Sequence, residues 1–218
     1  MKRQFFIALI LLLFELNVFA QRKLTEATIT YGISLKGSEQ AAQLNKLLKG
    51  ASSVVYLKGQ FSRMDMTSPL GVQSTIIDGK SGSIVMLKGF GDQKYLIKMT
   101  QANWQDMNKA FDRISFNYVE GTKTIAGHLC KKATAKLPDG KSFTVYYAPD
   151  LVPVNKDFQY MNRSLPGLAM EYEASMGALL VTYSVSSINM NPVPQAKFDI
   201  PTTGYRVMTY DESRRGGK

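Results

Sequence analysis

The sequence predicts an α+β domain that is mostly β-sheet, in which about two helices pack on antiparallel strands. Two observations predict this class. Apolar and polar residues alternate over several short segments that turn residues separate, which is the pattern of strands with one buried face. Two other segments, residues 38–50 and 101–111, repeat their apolar residues at helical spacing.

The first 20 residues have the pattern of a cleavable signal peptide. Lys2 and Arg3 precede an unbroken apolar run over residues 5–14, and Ala20 places a small side chain at the expected cleavage point. The run is about half as long as a membrane-spanning helix requires. We therefore expect an exported protein of the periplasm or the outer-membrane surface that does not span the membrane.

Residues 21–210 are expected to form a single β-rich domain, and residues 211–218 a disordered polar tail. The only cysteine, Cys130, excludes an internal disulfide. Removal of residues 1–20 lowers the formal net charge from +10 to +9. This excess of positive charge is typical of a well-solvated surface, or of a protein whose partner is an anionic membrane surface. Nucleic acid is not an expected partner because no nucleic-acid motif is present.

The first half of the chain predicts a strand, a helix and then a meander of hairpins. Residues 25–35 alternate as a strand with one buried face. Ser38 can cap a short helix whose apolar side repeats at Ala41, Leu44 and Leu48, and Gly50 can end it. Turn residues then separate the next predicted strands. These cover residues 54–66, 75–78, 84–90 and 95–99.

The second half predicts one more helix and four more strands. Trp104, Met107 and Phe111 share one side of the helix predicted over residues 101–111, which would cover the sheet. The strands are predicted over residues 114–119, 124–137, 142–148 and 179–186, with a hairpin turn at Pro138-Asp139-Gly140. Pro192, Pro194 and Pro201 break up the end of the chain.

Four short motifs lie in order between residues 121 and 205. They are TIAGHLCKKA at 124–133, VYYAPDL at 145–151, LPGLAMEY at 165–172, and FDIP at 198–201 followed by Gly204-Tyr205. This order resembles secreted domains of unknown function known for a Gly-Leu-Pro-Gly-Leu-Ile (GLPGLI) signature, or a close relative. Ser164 stands where the signature has its first glycine, and Ala169 where it has isoleucine.

The resemblance covers under half of the chain and implies a fold rather than an activity. Such domains look like members of the lipoprotein-carrier class (LolA, LolB and LppX-like). In that class a strongly curved antiparallel sheet forms a half-barrel, and helices cover its apolar concave side. Independently of the resemblance, Pro166-Gly167 predicts a sharp structural turn into a strand that begins near Leu168.

Catalytic candidates are weak on chemical grounds. Cys130 is expected to be a small buried apolar residue. His128 lies on the same strand face, but neighbours at i and i+2 are too far apart for a nucleophile pair. Glu171 and Glu173 also share a face, where a solvated surface is the simpler interpretation than acid–base chemistry or a hard cation site. No catalytic residue, metal site or cofactor is predicted, and the chain is not expected to be an enzyme.

Binding is the better prediction. The chain after residue 20 contains ten methionines, whose flexible side chains adapt to irregular apolar ligands, although each of them also suits an ordinary core. Tyr146 and Tyr147 point to opposite faces of their strand, so at most one can line a pocket. If the sheet is curved, an apolar groove would hold an acyl chain, with lysines at its rim. The predicted groove residues are Met64, Met66, Met86, Met99, Trp104, Met107, Tyr147 and Met170.

Three functions remain open at this point. The first is a carrier or sensor of a lipid, a lipidated protein or another hydrophobic ligand. The second is a protein-interaction module of the envelope without a small ligand. The third, which the residues favour least, is an enzyme that uses Cys130 or the pair Glu171 and Glu173. The oligomeric state is not predicted.

Overall fold

The computed structural model describes residues 21–36, 39–69, 71–138, 140–176 and 179–215. The predicted signal peptide, residues 1–20, lies outside the described residues. So do Ser38 and Asp139, which the sequence places at a helix cap and in a hairpin turn. Within the described ranges, no helix is long and apolar enough to cross a membrane.

Most of the described chain forms strands. They are β1 (Arg22–Leu24), β2 (Glu26–Lys36), β3 (Ser52–Lys58), β4 (Phe61–Ser68), β5 (Gly71–Asp78), β6 (Ser83–Phe90), β7 (Gln93–Met99), β8 (Ser115–Ile125), β9 (His128–Lys136), β10 (Ser142–Ala148), β11 (Leu151–Pro153), β12 (Leu168–Met176), β13 (Leu179–Asn189) and β14 (Arg206–Thr209). Twelve of them form one sheet in the order β14-β7-β6-β5-β4-β3-β2-β13-β12-β10-β9-β8. Strands β1 and β11 form a separate parallel pair.

The large sheet is curved and open, which confirms the predicted mostly-β class and half-barrel. All its neighbouring strands are antiparallel except β14, which runs parallel to β7 at one edge. Strand β8 forms the other edge. Short turns join most neighbours because the chain meanders, as the hairpin signals in the sequence predict.

Within the described residues, three α-helices and three 3₁₀ segments accompany the strands. They are α1 (Glu39–Leu47), α2 (Gln101–Asn108), α3 (Tyr210–Arg215), and the 3₁₀ segments Lys109–Phe111, Asp157–Asn162 and Gln195–Phe198. The two predicted helices are confirmed as α1 and as α2 with the 3₁₀ turn that continues it. The segment Asp157–Asn162, which we call the plug, and helix α3 were not predicted.

Two predicted strands are in fact hairpins. The strand predicted over residues 54–66 is divided by a turn at Gly59, whose φ of +58° favours glycine. The strand predicted over residues 124–137 is divided at Ala126 and Gly127, with φ of +48° and +83°. Two consecutive residues with positive φ make the tight turn that matches the twist of the flanking strands.

The prediction of a disordered tail from residue 211 is wrong for residues 211–215, which belong to α3. The reason is a capping box at the start of the helix. The Thr209 N–H donates to Glu212 Oε2 at 2.7 Å, and the Glu212 N–H donates to Thr209 Oγ1 at 3.2 Å. Each side chain thus satisfies a backbone donor that the helix leaves unpaired.

One face of the sheet carries the predicted methionines. Met64 is opposite Thr75, Thr75 is opposite Met86, and Met86 is opposite Ile97 across strands β4 to β7. Residues that lie directly opposite in a sheet project from the same face. We call this side the methionine face.

The methionine face is covered in two different ways. Over the central strands, Phe158 of the plug packs in the main core with Ile29, Val55 and Met170. Over β5 to β7, a second cluster combines Met86 and Met99 with three aromatic residues of the covering segments. These aromatic residues are Trp104, Tyr160 and Tyr210.

Candidate functional site: a methionine-floored groove

Two adjoining hollows of about 500 and 560 Å³ lie on the methionine face at its β14 edge. Both have Lys88, Ile97 and Ser213 in their walls, so they form one groove divided by α3. Ligand pockets of proteins typically measure about 300–1,000 Å³. The groove therefore has the size of a small-ligand site.

The floor of the groove is apolar because every second residue of β6 and β7 faces it. Met86 lies beside Ile97 across these strands, and Ile84 lies beside Met99. The buried floor includes Met86, Ile97 and Met99, whereas Met107 on α2 is 39% exposed at the opening. The floor is thus fixed by packing while the opening keeps a flexible apolar side chain.

Helix α2 forms one wall of the groove and is anchored by Trp104. A capping box of Thr100 and Asn103 starts the helix, with the Asn103 N–H donating to Thr100 Oγ1 at 3.2 Å. The Trp104 ring packs edge-on against Tyr160 of the plug, with ring centroids 6.3 Å apart. Because Trp104 is buried, α2 has little freedom to close the groove.

Helix α3 lies between the two hollows and is tied to α2 through Asp106. The carboxylate accepts hydrogen bonds from Lys109 at 3.1 Å, from the Tyr210 hydroxyl at 3.0 Å and from Arg214 at 2.9 Å. These donors, Lys109 first and Tyr210 next, lower the pKa of Asp106. Burial, followed by the hydrogen bond to Asp106, raises the pKa of Tyr210.

The rim of the groove is basic. Five cationic side chains line the two hollows, against the carboxylates of Asp106 and Glu212. Both carboxylates are already engaged, Asp106 by its three donors and Glu212 by the capping box, whose bonds lower its pKa. An excess of positive charge around a cleft attracts anions. The cations are Lys88, Lys109, Arg206, Arg214 and Arg215.

Three of the eight predicted groove residues line this site, Met86, Met99 and Met107, and a fourth, Trp104, packs with Met86 and Met99 in the cluster beside it. Met66 lies on the same face of the sheet. It is opposite Gln73 of β5, and Gln73 is opposite Lys88 of β6. The other three lie elsewhere. Met64 and Met170 pack in the central core, and Tyr147 belongs to a separate cluster with Ala133 and Val145.

The sequence analysis did not single out the rim residues. Lys88 follows Met86 by two positions on one strand, so alternation alone places it on the groove side. Arg206, Arg214 and Arg215 were not identified because they come from β14 and from the segment predicted to be disordered. The Thr-x-x-Glu pattern at residues 209–212 was the available signal for α3.

Cys130 is a buried core residue. It is 0% exposed, and burial is the main cause that raises the pKa of its thiol to about 11. The thiol is therefore protonated at neutral pH and is a poor nucleophile. The His128 ring has a different partner, since its Nδ1 lies 2.9 Å from Asp150 Oδ2, and the Cys130 thiol donates only to the His128 backbone carbonyl, at 3.4 Å. His128 and Asp150 are 22 positions apart in the sequence, so sequence analysis did not identify this pair.

The carboxylates of Glu171 and Glu173 have protein partners. Lys123 donates to Glu171 Oε2 at 2.8 Å, and the Ser184 hydroxyl donates to the same oxygen at 3.0 Å. The Thr144 N–H donates to Glu173 at 3.4 Å. Among the described residues, no group of three or more His, Cys, Asp or Glu side chains is placed to hold a metal ion.

Neither a known protein family nor a characterised protein matches this chain by sequence. Among solved structures, PNGF-II has a TM-score of 0.48 at 12% identity, over 86% of this chain and 32% of that protein. MucB in complex with MucA(peri) has a TM-score of 0.43 at 12% identity, over 81% of this chain and 54% of MucB. LprF from Mycobacterium bovis has a TM-score of 0.33 at 11% identity, over 78% of this chain and 88% of LprF.

This chain thus spans about a third of PNGF-II and about half of MucB. All of these TM-scores are below 0.5, and none of them indicates a function for this chain. The resemblance to the GLPGLI domains stays a prediction.

Proposed function

We propose that this protein binds an amphiphile, with the apolar chain on the methionine floor and an anionic head group at the basic rim. The observation that supports this proposal is the pairing of an apolar floor with five cations at one groove. Methionine side chains adapt to flexible hydrocarbon better than branched side chains do. Lysine and arginine place their charge at the water boundary while their stems cover apolar surface.

The predicted signal peptide indicates where in the cell this binding would take place. An exported protein that binds an amphiphile would work in the periplasm or at the outer membrane, as a carrier or sensor of a lipid or of a lipidated protein. The basic rim would also favour approach to an anionic membrane surface, because positive charges near such a surface are attracted to it. Under this proposal the protein is a binding protein and performs no reaction.

The proposal is tested by displacement of a fluorescent fatty acid from the purified protein. Lys88→Glu reverses a charge shared by both hollows, and we expect it to weaken binding about tenfold, or ~1.4 kcal/mol. Lys98→Glu is the matched control, because Lys98 is exposed and alternates with Ile97 and Met99 to the opposite face of β7. It changes the net charge equally and should leave binding within about twofold.

Native mass spectrometry of protein from an envelope fraction supplies the second measurement. We expect a co-purifying amphiphile that fatty acid displaces. Equal losses of affinity in Lys88→Glu and Lys98→Glu would indicate a general charge effect. Absence of any bound amphiphile, together with no fatty-acid binding, would contradict the proposal.

A second candidate function is docking of a protein strand, and the position of β8 at the edge of the sheet formed by the described residues favours it. On this strand Tyr118 is 56% exposed and Val119 is 37% exposed. An exposed edge strand can add a strand from another chain through its unpaired backbone groups. Crosslinking from position 118 in the native envelope tests this candidate. A single stoichiometric protein adduct would favour it over lipid binding.

A further inference from the structure

The start of the described chain is held against a carboxylate. Strand β1 runs parallel to β11, with Arg22 opposite Leu151, and the Arg22 N–H donates to the Asp150 carbonyl at 2.7 Å. Gln21 lines a hollow of about 340 Å³ together with His128 and Asp150. Gln21 and Asp150 therefore lie at the same hollow, and the Arg22 hydrogen bond fixes the backbone directly after Gln21.

The Asp150 carboxylate is only half satisfied. Its Oδ2 atom lies 2.9 Å from His128 Nδ1, whereas its Oδ1 atom is buried with no hydrogen-bond partner among the described residues. A buried carboxylate oxygen without a donor is destabilising, and buried polar atoms in folded proteins nearly always have a partner. Oδ1 of Asp150 therefore lacks a donor, most favourably a cationic one.

We propose that removal of the leader supplies this donor, and that the new α-ammonium group of Gln21 pairs with Oδ1 of Asp150. Cleavage adds water across the bond between Ala20 and Gln21. The hydroxyl group goes to the Ala20 carbonyl carbon, and a proton goes to the Gln21 nitrogen. The resulting Ala20 carboxyl group gives its proton to the new amine, which leaves a carboxylate on the leader and an ammonium on Gln21.

This pairing links processing to stability. In the uncleaved chain the Gln21 nitrogen is an amide and carries no charge. After cleavage it offers three donors and a full positive charge beside Asp150, and charge-assisted hydrogen bonds are stronger than neutral ones. The pair would hold β1 against β11, where Leu24 and Leu151 are 2% and 1% exposed in the main core. Asp150 is thus the acceptor of the processed N-terminus, independently of what the groove binds.

The test compares a chain that begins at Gln21 with one that keeps Ala20 in front of it, each with and without Asp150→Asn. In the chain that begins at Gln21 we expect Asp150→Asn to reduce the folding equilibrium constant about tenfold, measured by urea unfolding. In the extended chain the same substitution should change it less than threefold, because the Gln21 nitrogen is then an uncharged amide and the terminal ammonium is one residue farther from Asp150. Equal losses in the two chains would overturn the proposal.

Two further measurements test the charge of the terminal amine directly and identify the first residue of the exported protein. If Asp150→Asn prevents folding, the unaltered chain with a free amine is compared with its Nα-acetylated form, and equal unfolding midpoints would overturn the proposal. Mass spectrometry of the naturally exported protein gives its first residue. A start at another residue, or a Gln21 that has cyclised with loss of ammonia and so carries no charge, would also overturn it. A chain that begins with Gln21→Ala keeps the amine without cyclising and should behave as the unaltered chain.

Discussion

The central and outer parts of the methionine face use the same residue type for opposite purposes. In the central part Met170 is 0% exposed and packs in a core that Phe158 closes. In the outer part Met107 is 39% exposed beside a hollow of about 560 Å³. Met107 lies on the covering helix α2, so whether a methionine belongs to the core or to the groove depends on how completely the covering segments fill the space around it. The residue type itself does not decide the outcome.

The plug accounts for the filled part. Gln159 reaches from the plug to the start of β12, where its Nε2 donates to the Gly167 carbonyl at 3.4 Å and its Oε1 accepts from the Ala169 N–H at 3.2 Å. These bonds satisfy buried backbone groups that would otherwise prevent a polar loop from entering a core. With the plug held in this way, Phe158 and Tyr160 are placed in the two clusters on the methionine face.

The largest expected effect lies at the point where the plug meets β12. A Cβ atom added at Gly167 would lie 2.0 Å from the Ala148 carbonyl oxygen, which is part of the backbone and has little room to move. We expect Gly167→Ala to destabilise the fold by at least about 3 kcal/mol. Urea unfolding measures the loss, and Gly32→Ala is the control.

Gly32 is the control because it lies within β2, where an added Cβ would have only an ordinary contact, 3.8 Å from the Ser184 carbonyl oxygen. We expect Gly32→Ala to change stability by less than about 1 kcal/mol. A Gly167→Ala protein as stable as the Gly32→Ala protein would show that β12 can move away from β10. The filled part would then be less rigid than its packing indicates.

The next prediction compares the two parts directly. Met170→Ala removes a fully buried side chain and should cost about 3 kcal/mol, because it leaves a cavity in the central core. Met107→Ala removes a side chain at the groove opening and should cost about 0.5 kcal/mol or less. The free energy of unfolding of each variant tests this contrast. Similar losses would mean that the groove is packed like the core.

A smaller effect is expected at the cap of α3. Thr209→Ala removes the hydroxyl that accepts from the Glu212 N–H, and losing an N-cap costs about 1 kcal/mol. The loss should be local, since α3 is a six-residue helix at the β14 edge. Amide hydrogen exchange should become faster in α3 while β12 and β13 keep their protection. The exposed Thr203 gives the control Thr203→Ala, which should leave exchange in α3 unchanged.

The sequence predicts the elements of the methionine face, but it does not predict which part of that face is filled and which part is open. Alternation predicts β2 and β13, and the shared side of Trp104 and Met107 predicts α2, because these patterns depend on local burial. The row from Met64 to Met86 also follows from alternation once the hairpins are paired. The segments that cover this row cannot be predicted from alternation, because they are distant in the sequence and reach the row only through tertiary contacts.

The plug shows why. Asp157–Asn162 is a short 3₁₀ segment in which Gln159 has non-helical φ and ψ of −106° and 47°, so no helical period marks it. Gln159 and Asn162 are polar yet 7% and 1% exposed, which contradicts the usual expectation for such residues. Sequence therefore predicts the sheet and one groove wall, but it cannot distinguish the filled part of the methionine face from the open part.

The last prediction uses pH to separate the two parts. The folded chain holds the pKa values of Asp106 and Glu212 below their ordinary values of 3.8 and 4.5, chiefly through the hydrogen bond with Lys109 for Asp106 and those with Thr209 for Glu212. A carboxyl group whose pKa is lower in the folded state stabilises that state above its ordinary pKa, and this stabilisation is lost as pH falls through the lowered value. The docking of α3 should therefore be complete at pH 6 and weaken below about pH 4.

Trp104, the only tryptophan, reports this change because it packs in the same cluster as Tyr210 of α3. Its fluorescence should shift as α3 loosens below about pH 4, at a pH where the far-ultraviolet circular dichroism of the sheet is still unchanged. In Asp106→Asn the shift should be smaller, because the donors from α3 no longer meet a charge that titrates. An identical shift in Asp106→Asn, or one that coincides with loss of the sheet signal, would mean that α3 and the central core unfold as one unit. The groove would then be as rigid as the filled part of the methionine face.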